Sequence, residues 1–152
     1  MAEPKFVLDL TSRMSELDKL NAFLEEIGAK LCLPAKCLFE ITVALEEVFS
    51  NIVRYAFTDG RTHTVRIVAR LGKGKLSLSV EDDGRPFNPL TADPPQLEPD
   101  PEKCEIGGLG IHLVKRLMDD VRYTRRSNRN ELTLIKRSGR SSPDRVPACS
   151  AH

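Results

Sequence analysis

The chain has 152 residues, 40% of them hydrophobic, which suits one globular domain that buries roughly 70% of its unfolded surface. Its 23 basic and 22 acidic residues give a net charge of +1, so no overall electrostatic field favours direct binding to nucleic acid. No apolar run approaches the roughly 20 residues that a membrane-spanning helix needs, and the N-terminal residues contain no apolar signal-peptide core. We therefore expect a cytoplasmic protein without membrane contact.

The first half of the chain predicts one strand followed by two helices. Residues 6–10 are mostly apolar and favour an extended strand. Apolar residues then recur at helical spacing across residues 17–31 and again across residues 38–55, which predicts two amphipathic helices. The sequence Thr-Asp-Gly at residues 58–60 is typical of a turn and marks the end of the second helix.

The second half predicts two hairpins separated by a third helix. Strands are expected at residues 65–69 and 76–80, and they must be antiparallel because the loop between them is too short for a parallel crossover. Apolar spacing predicts the third helix at residues 111–118, and two more strands follow at residues 121–124 and 132–135, with a turn at residues 128–130 between them. Three helices and about five strands predict an α+β two-layer sandwich, with the helices on one face of the sheet.

Two segments do not fit this regular pattern. Residues 88–106 contain five of the ten prolines and five acidic residues without periodicity. Long irregular segments inside a domain are typically functional lids or disordered, so we interpret this one as a lid. Residues 138–152 are polar and contain two prolines, which predicts a disordered tail after a domain that spans residues 1–137.

Glu47 and Asn51 lie four residues apart in the second predicted helix, so they share one face, about 5–6 Å from each other. The apolar stripe through Val48 and Ile52 places both at its edge. Carboxylate and amide oxygens are the hard ligands that Mg²⁺ prefers, and a carboxylate can also act as a general base. The same spacing occurs on solvated helix faces, so the pair indicates a site only together with the motifs that follow.

A second motif follows the strand predicted at residues 76–80. Asp82 at the strand end can accept a hydrogen bond from an exocyclic amine, such as that of adenine. Gly84 allows a close backbone approach or a positive φ, while Pro86 and Phe87 stiffen the exit from the turn. By itself the motif is also compatible with an ordinary Asp-Gly turn.

The third motif is a glycine-rich start to the third predicted helix, at Gly107, Gly108 and Gly110. Helix N-terminal amides favour phosphate, and glycine lets the backbone approach it. Leu113 occupies the place of the last glycine of a dinucleotide fingerprint, and no Gly-Lys-Ser/Thr sequence follows as in a Walker loop. A phosphate-binding helix start and a simple hinge are both compatible with this motif.

The three motifs together, in this order, resemble the N, G1 and G2 boxes of the ATPase family that includes gyrase, MutL and histidine kinases, the Bergerat fold. The sequences DDGRPF at residues 82–87 and GGLGI at residues 107–111 are similar to those of small anti-sigma-factor serine/threonine kinases of the RsbW/SpoIIAB type. The resemblance covers residues 6–137. It implies an ATP-binding α/β sandwich with a mixed, mostly antiparallel sheet.

The resemblance also implies a role for each motif residue. Glu47 would be the general base that activates a seryl or threonyl hydroxyl, and Asn51 would coordinate Mg²⁺ that bridges the phosphates. Asp82 would bind the adenine amino group with Gly84 close to the ring. The remaining residues of the ATP site would be Pro86, Phe87, Gly107, Gly108, Leu109, Gly110 and Ile111.

By the same resemblance, the protein is expected to be an ATP- and Mg²⁺-dependent kinase that acts as an anti-sigma factor. Its partners would be a sigma factor, a STAS-type antagonist that it phosphorylates, or both, and it would form a homodimer. The alternative is a nucleotide-gated protein-binding module with little or no phosphotransfer. Cys104-Glu105-Ile106 stands before Gly107 where some family members carry an arginine, which favours the alternative, whereas the Glu47 and Asn51 pair favours the kinase.

Overall fold

The computed structural model describes residues 3–86, 88, 90 and 106–138, and the side chains of residues 106–109 are not described. The helices and strands come close to the predicted ones, although the third helix begins five residues earlier than the periodicity indicates. In chain order they are β1 (Lys5–Thr11), α1 (Leu17–Lys30), α2 (Ala35–Asn51), β2 (Thr64–Gly72), β3 (Lys75–Asp82), α3 (Ile106–Leu117), β4 (Asp120–Arg126) and β5 (Arg129–Arg137).

The five described strands form one sheet in the order β1-β2-β3-β5-β4. Each neighbouring pair is antiparallel, so the mixed sheet implied by the resemblance is not found among these strands. The reason is that β5 lies between β3 and β4, which run in the same direction but do not pair. The predicted α+β two-layer sandwich is confirmed.

Alternating burial along the strands shows which face of the sheet the helices cover. In β2 and β3, every second residue is buried, and the residues between them are exposed or partly exposed. The buried residues join those of all three helices in one apolar core, so the helices lie on one face, as predicted. The strand residues of this core are Leu10, Val65, Ile67, Ala69, Leu76, Leu78, Val80, Leu132 and Leu134.

Both hairpins close through two residues with positive φ. Lys73 (φ 54°) and Gly74 (φ 73°) join β2 to β3, and Ser127 (φ 53°) and Asn128 (φ 61°) join β4 to β5. Two positive φ angles are the signature of the tight turns that match strand twist. The first turn was predicted, but the second prediction, a turn at residues 128–130, was wrong. Asn130 therefore lies within β5.

A carboxylate ties the start of α1 to the end of β1. The Glu16 Oε1 atom accepts hydrogen bonds from the Thr11 hydroxyl at 2.7 Å and from the Thr11 backbone N–H at 3.1 Å. Oε2 forms an ion pair with Lys19 at 3.1 Å. The hydrogen bonds from Thr11, with the contribution of Lys19, lower the pKa of Glu16 from 4.5 to about 2.

Replacing Glu16 by Gln should make the fold less stable at neutral pH but not under strongly acidic conditions. The lowered pKa means that the ionised carboxylate stabilises the fold above pH 4.5, and this contribution is lost as the pH falls towards about 2. Urea denaturation at several pH values should therefore show a difference from wild type that shrinks on acidification. Glu26→Gln removes only an exposed ion pair with Lys30 and is the matched control. A difference independent of pH would contradict the prediction.

The predicted lid and tail fall mostly outside the described residues. At the start of the lid, the Leu90 backbone N–H donates to Asn88 Oδ1 at 2.9 Å. Ser138, which was assigned to the tail, is buried, and its backbone N–H donates to the Gly74 carbonyl at 2.9 Å. Among the residues that the structure describes, no helix is long and apolar enough to cross a lipid bilayer.

Candidate functional site

The helix that carries Glu47 and Asn51 changes its winding where the site begins. α2 ends at Asn51, and the chain continues as one π-helical turn, Ile52–Ala56. Such turns are rare and are often found at functional sites. Here the wider turn brings Tyr55 and Ala56 to the same cavity as Asn51 and Ile52. The sequence predicted a continuous helix to Tyr55 and gave no sign of this change.

A partly open cavity lies between α2, α3 and the β3–β5–β4 side of the sheet. Its lining is mostly apolar with a few polar groups, which is typical of sites for small molecules and cofactors. Its apolar walls are Val48, Ile52, Ala56, Ile111 and Leu132. The side chains with polar groups are Asn51, Tyr55, Asp82, Tyr123 and Asn130. Three of the predicted site residues, Asn51, Asp82 and Ile111, are thus brought together around one space.

Asp82 is a buried carboxylate at the end of β3, with 4% of its surface exposed. Its Oδ1 atom accepts hydrogen bonds from the Gly84 backbone N–H at 2.9 Å and from Asn130 Nδ2 at 3.1 Å. Burial raises the pKa of Asp82 above its usual 3.8, while these two hydrogen bonds oppose the rise. The group is therefore a desolvated acceptor held in one orientation, which suits recognition of an amine donor.

Residue 84 must be a glycine because its backbone packs directly against Ala56. A Cβ atom at this position would lie 2.5 Å from the Ala56 carbonyl oxygen and 2.6 Å from the Ala56 Cβ. The next residue, Arg85, donates its backbone N–H to the same carbonyl at 2.9 Å. The turn after β3 is thus pressed against the π-helical turn. The positive φ that the sequence left open is not found, because the positive-φ glycines of the described chain are Gly60 and Gly74.

Replacing Gly84 by Ala should destabilise the protein by about 1–3 kcal/mol, the usual cost of overpacking a tight contact. The new methyl group would meet backbone atoms of Ala56, which cannot rotate away. Gly72→Ala is the matched control, because Gly72 also has no positive φ and the added atom there would meet only the flexible end of the Glu3 side chain, which can move away. Urea denaturation of both variants measures the difference. A Gly84→Ala protein as stable as wild type would contradict the steric explanation.

Glu47, Asn51 and Gly110 lie close together beside the cavity. Glu47 and Asn51 are both partly buried on the last turns of α2. A Cβ atom at Gly110 would collide with Oε2 of Glu47 and would lie 3.7 Å from Nδ2 of Asn51. The absence of a side chain at Gly110 therefore lets the α3 backbone approach the carboxylate and amide closely.

The other predicted residues are placed as follows. Gly107, Gly108 and Leu109 belong to the first turns of α3, as the glycine-rich motif predicted, and Ile111 is buried with 3% exposure. Pro86 is exposed. Phe87 lies outside the described residues. Gly84 is not part of the cavity wall, and its closest contact is Ala56.

Two residues of the site were missed by the sequence analysis. Asn130 is buried in β5 and Tyr123 is partly buried in β4, and both line the cavity. Asn130 was assigned to a turn. The available signal was strand periodicity, because Asn130 precedes the buried Leu132 and Leu134 at intervals of two residues and so belongs to the inward face.

The donor set at Glu47 and Asn51 is compatible with a magnesium ion. A carboxylate and an amide oxygen are hard ligands, and Mg²⁺ commonly takes one or two protein ligands and completes its shell with water and phosphate oxygens. Within the described ranges, no group of three or more His, Cys, Asp or Glu side chains converges on a metal position. The pair would hold an ion only together with phosphate and water.

Comparison with known proteins agrees with this geometry. Residues 10–136 match the family model of the histidine kinase-like ATPase domain. The chain is 31% identical over 120 residues to the serine/threonine-protein kinase BtrW of Bordetella bronchiseptica, covering 79% of this chain and 84% of that protein. It is 26% identical over 122 residues to the serine-protein kinase RsbW of Listeria innocua, covering 78% of each.

A solved structure supports the fold. The crystal structure of the RsbU and RsbW domains of Rv1364c from Mycobacterium tuberculosis superposes with a TM-score of 0.65 and 18% identity over 88% of this chain. Our chain spans 32% of that longer protein. With 84% of BtrW covered at 31% identity, and with the family model matched from residue 10 to residue 136, the chain belongs to the histidine kinase-like ATPase family and is similar there to RsbW-type serine kinases.

Proposed function

We propose that this protein is an ATP- and Mg²⁺-dependent serine/threonine protein kinase that acts as an anti-sigma regulatory factor. The observation that carries the proposal is a cavity lined by both the buried acceptor Asp82 and Asn51, with Glu47 and Gly110 close together beside Asn51. Family membership and the names of the BtrW and RsbW relatives support kinase chemistry.

The nucleotide would lie along the cavity with its base at the Asp82 end. The carboxylate would accept a hydrogen bond from the adenine amino group, and apolar walls such as Val48 and Ile52 would pack against the ring. The phosphates would lie at the start of α3, which contains Gly107, Gly108 and Gly110, because the free amides of a helix N-terminus favour phosphate. Residues 88–106 would be the lid of this site, within a domain that spans residues 1–137.

For phosphoryl transfer, we assign the general base to Glu47. Its carboxylate would take the proton of a seryl or threonyl hydroxyl as the oxygen attacks the γ-phosphorus, the bond to the β–γ bridging oxygen would break, and ADP would leave. Asn51 would be the metal ligand one turn away. When bound, Mg²⁺ neutralises the charge of the phosphates and orients them. Glu47 is not among the residues that line the cavity, but its carboxylate lies beside Gly110 near the start of α3, which supports a role near the phosphates.

The biological partners are proposed on the basis of the family alone. The substrate would be a STAS-type anti-sigma antagonist, the regulated partner a sigma factor, and the active form a homodimer in the cytoplasm. Residues 138–152 would form a tail outside the catalytic domain.

The site is tested by calorimetric titration of ATP with and without Mg²⁺. Wild type should bind ATP more tightly with Mg²⁺, and Asn51→Ala should lose this difference because the metal ligand is gone. Asn21→Ala in α1 makes the same chemical change on a helix that does not line the cavity, and it should behave as wild type. No ATP binding by wild type, or an unchanged Mg²⁺ effect in Asn51→Ala, would contradict the proposal.

A further inference from the structure

Asn130 is at the centre of a buried hydrogen-bond network behind Asp82. It is 6% exposed, and its Oδ1 atom accepts hydrogen bonds from the Tyr123 hydroxyl at 2.5 Å and from Arg125 Nη1 at 3.0 Å. Its Nδ2 atom donates to Asp82 Oδ1 at 3.1 Å and to the Arg85 carbonyl at 2.8 Å. Both polar ends of this amide are therefore satisfied by the protein itself.

The chemistry of these four partners allows only one orientation of the amide. A guanidinium only donates, so the atom that faces Arg125 must be the amide oxygen. A backbone carbonyl and an ionised carboxylate only accept, so the atom that faces Arg85 and Asp82 must be the NH₂ group. Arg125 is held in turn, because the same Nη1 atom donates to the Gly84 carbonyl at 2.9 Å. A flipped amide would oppose like groups at Arg125, Asp82 and the Arg85 carbonyl, and only the Tyr123 hydroxyl could reverse its role.

This orientation determines which oxygen of Asp82 is available to a ligand. Oδ1 accepts hydrogen bonds from Asn130 and from Gly84, whereas Oδ2 has no hydrogen-bond donor among the described residues. In that part of the chain, the fully buried side-chain nitrogen or oxygen without a partner is His112 Nε2. Asp82 Oδ2 also lacks a partner, but it is not among the fully buried atoms. It is therefore at least partly exposed, and we place this exposure on the side of the cavity that Asp82 lines.

We propose that Asn130, held by Tyr123 and Arg125, is a positioning residue that leaves Asp82 with one acceptor oxygen facing the cavity and so selects a purine with an exocyclic amino group. The inference rests on the proposed nucleotide site and adds a determinant of base specificity to it. Asn130 acts through Asp82, because its own donors and acceptor are occupied by protein groups.

The network also influences the protonation of Asp82. Burial raises its pKa and the Asn130 hydrogen bond lowers it, while the neighbouring Asp83 raises it and Arg125 lowers it. Tyr123 is the other titratable group of the network. Removing the Asn130 amide should therefore raise the pKa of Asp82 further, and a neutral carboxyl would be populated at a higher pH. A merely structural contribution of Asn130 would not move this titration.

The test compares ATP with purine riboside 5′-triphosphate, which lacks the amino group, by calorimetry in the presence of Mg²⁺. Wild type, Asn130→Ala and Tyr123→Phe are titrated from about pH 5 to about pH 8. Thr133→Val is the control, because Thr133 is also in β5 but bonds Ser79 and Glu131. Circular dichroism verifies that each variant is folded. If Asn130→Ala does not fold, the comparison of Tyr123→Phe with wild type tests the inference.

The inference predicts that wild type and Thr133→Val prefer ATP by at least about tenfold, the effect of one hydrogen bond to a charged group. Asn130→Ala should lose most of this preference, and its ATP affinity should decline at a higher pH than in wild type. Tyr123→Phe should change both in the same direction by less. If Asn130→Ala and Tyr123→Phe keep the wild-type preference for ATP and the wild-type pH profile, the inference is wrong and the proposed function is unaffected. A wild type that binds neither nucleotide would overturn the proposed function as well.

Discussion

Replacing Glu47 by Gln should lower the rate of phosphate transfer by about 10²–10⁴-fold, the usual contribution of a general base, while ATP affinity remains nearly unchanged. Glutamine has the shape of glutamate but cannot take a proton. Glu47 does not line the cavity, so the contacts to base and sugar should persist. The close approach of Gly110 to this side chain should also persist, because the substitution adds no non-hydrogen atom.

The measurement is a single-turnover transfer of labelled phosphate from ATP to a candidate STAS-type protein, with ATP affinity determined in parallel. Glu46→Gln is the matched control, because Glu46 precedes Glu47 in α2 and is also partly buried. Loss of transfer in Glu47→Gln but not in Glu46→Gln would support the kinase. ATP-dependent partner binding that both variants retain, without transfer by wild type, would instead support the nucleotide-gated binding module.

Replacing Asp82 by Asn should weaken ATP binding by about a hundredfold, which is within the range for losing a hydrogen bond to a charged group. The donors Gly84 and Asn130 converge on one side of residue 82, so the asparagine would turn its oxygen towards them. Its NH₂ group would then face the cavity, where it would oppose the adenine amino group. A donor would meet a donor at the point where wild type has an acceptor.

The same carboxyl group predicts the pH dependence of ATP binding in wild type. Burial raises the pKa of Asp82 above 3.8, and only the ionised form is a pure acceptor. ATP affinity should therefore fall on acidification at a pH above 3.8, and Asp82→Asn should lack this titration. Because a raised carboxyl pKa means that ionisation opposes folding, Asp82→Asn should not be less stable than wild type at neutral pH without ATP. Calorimetry and urea denaturation measure the two effects, and a destabilised variant would contradict this account.

Much of the site was predictable because its chemistry is local in sequence. Glu47 and Asn51 share a helix face by their spacing alone, and Asp82 ends a strand whose alternating pattern is clear. The position of the glycines at the start of α3 was also predicted correctly. The number of helices and strands followed from the same periodicities.

What the sequence alone determined is therefore which residues carry acid, amide and glycine functions on which helix or strand. Only the tertiary structure decided their partners: the antiparallel pairing of β5 with β3 places Asn130 opposite Asp82, and the π-helical turn places Ala56 against Gly84. These contacts join residues up to 48 positions apart. A local pattern cannot encode them, because they depend on how the whole core packs and on which strand lies beside which.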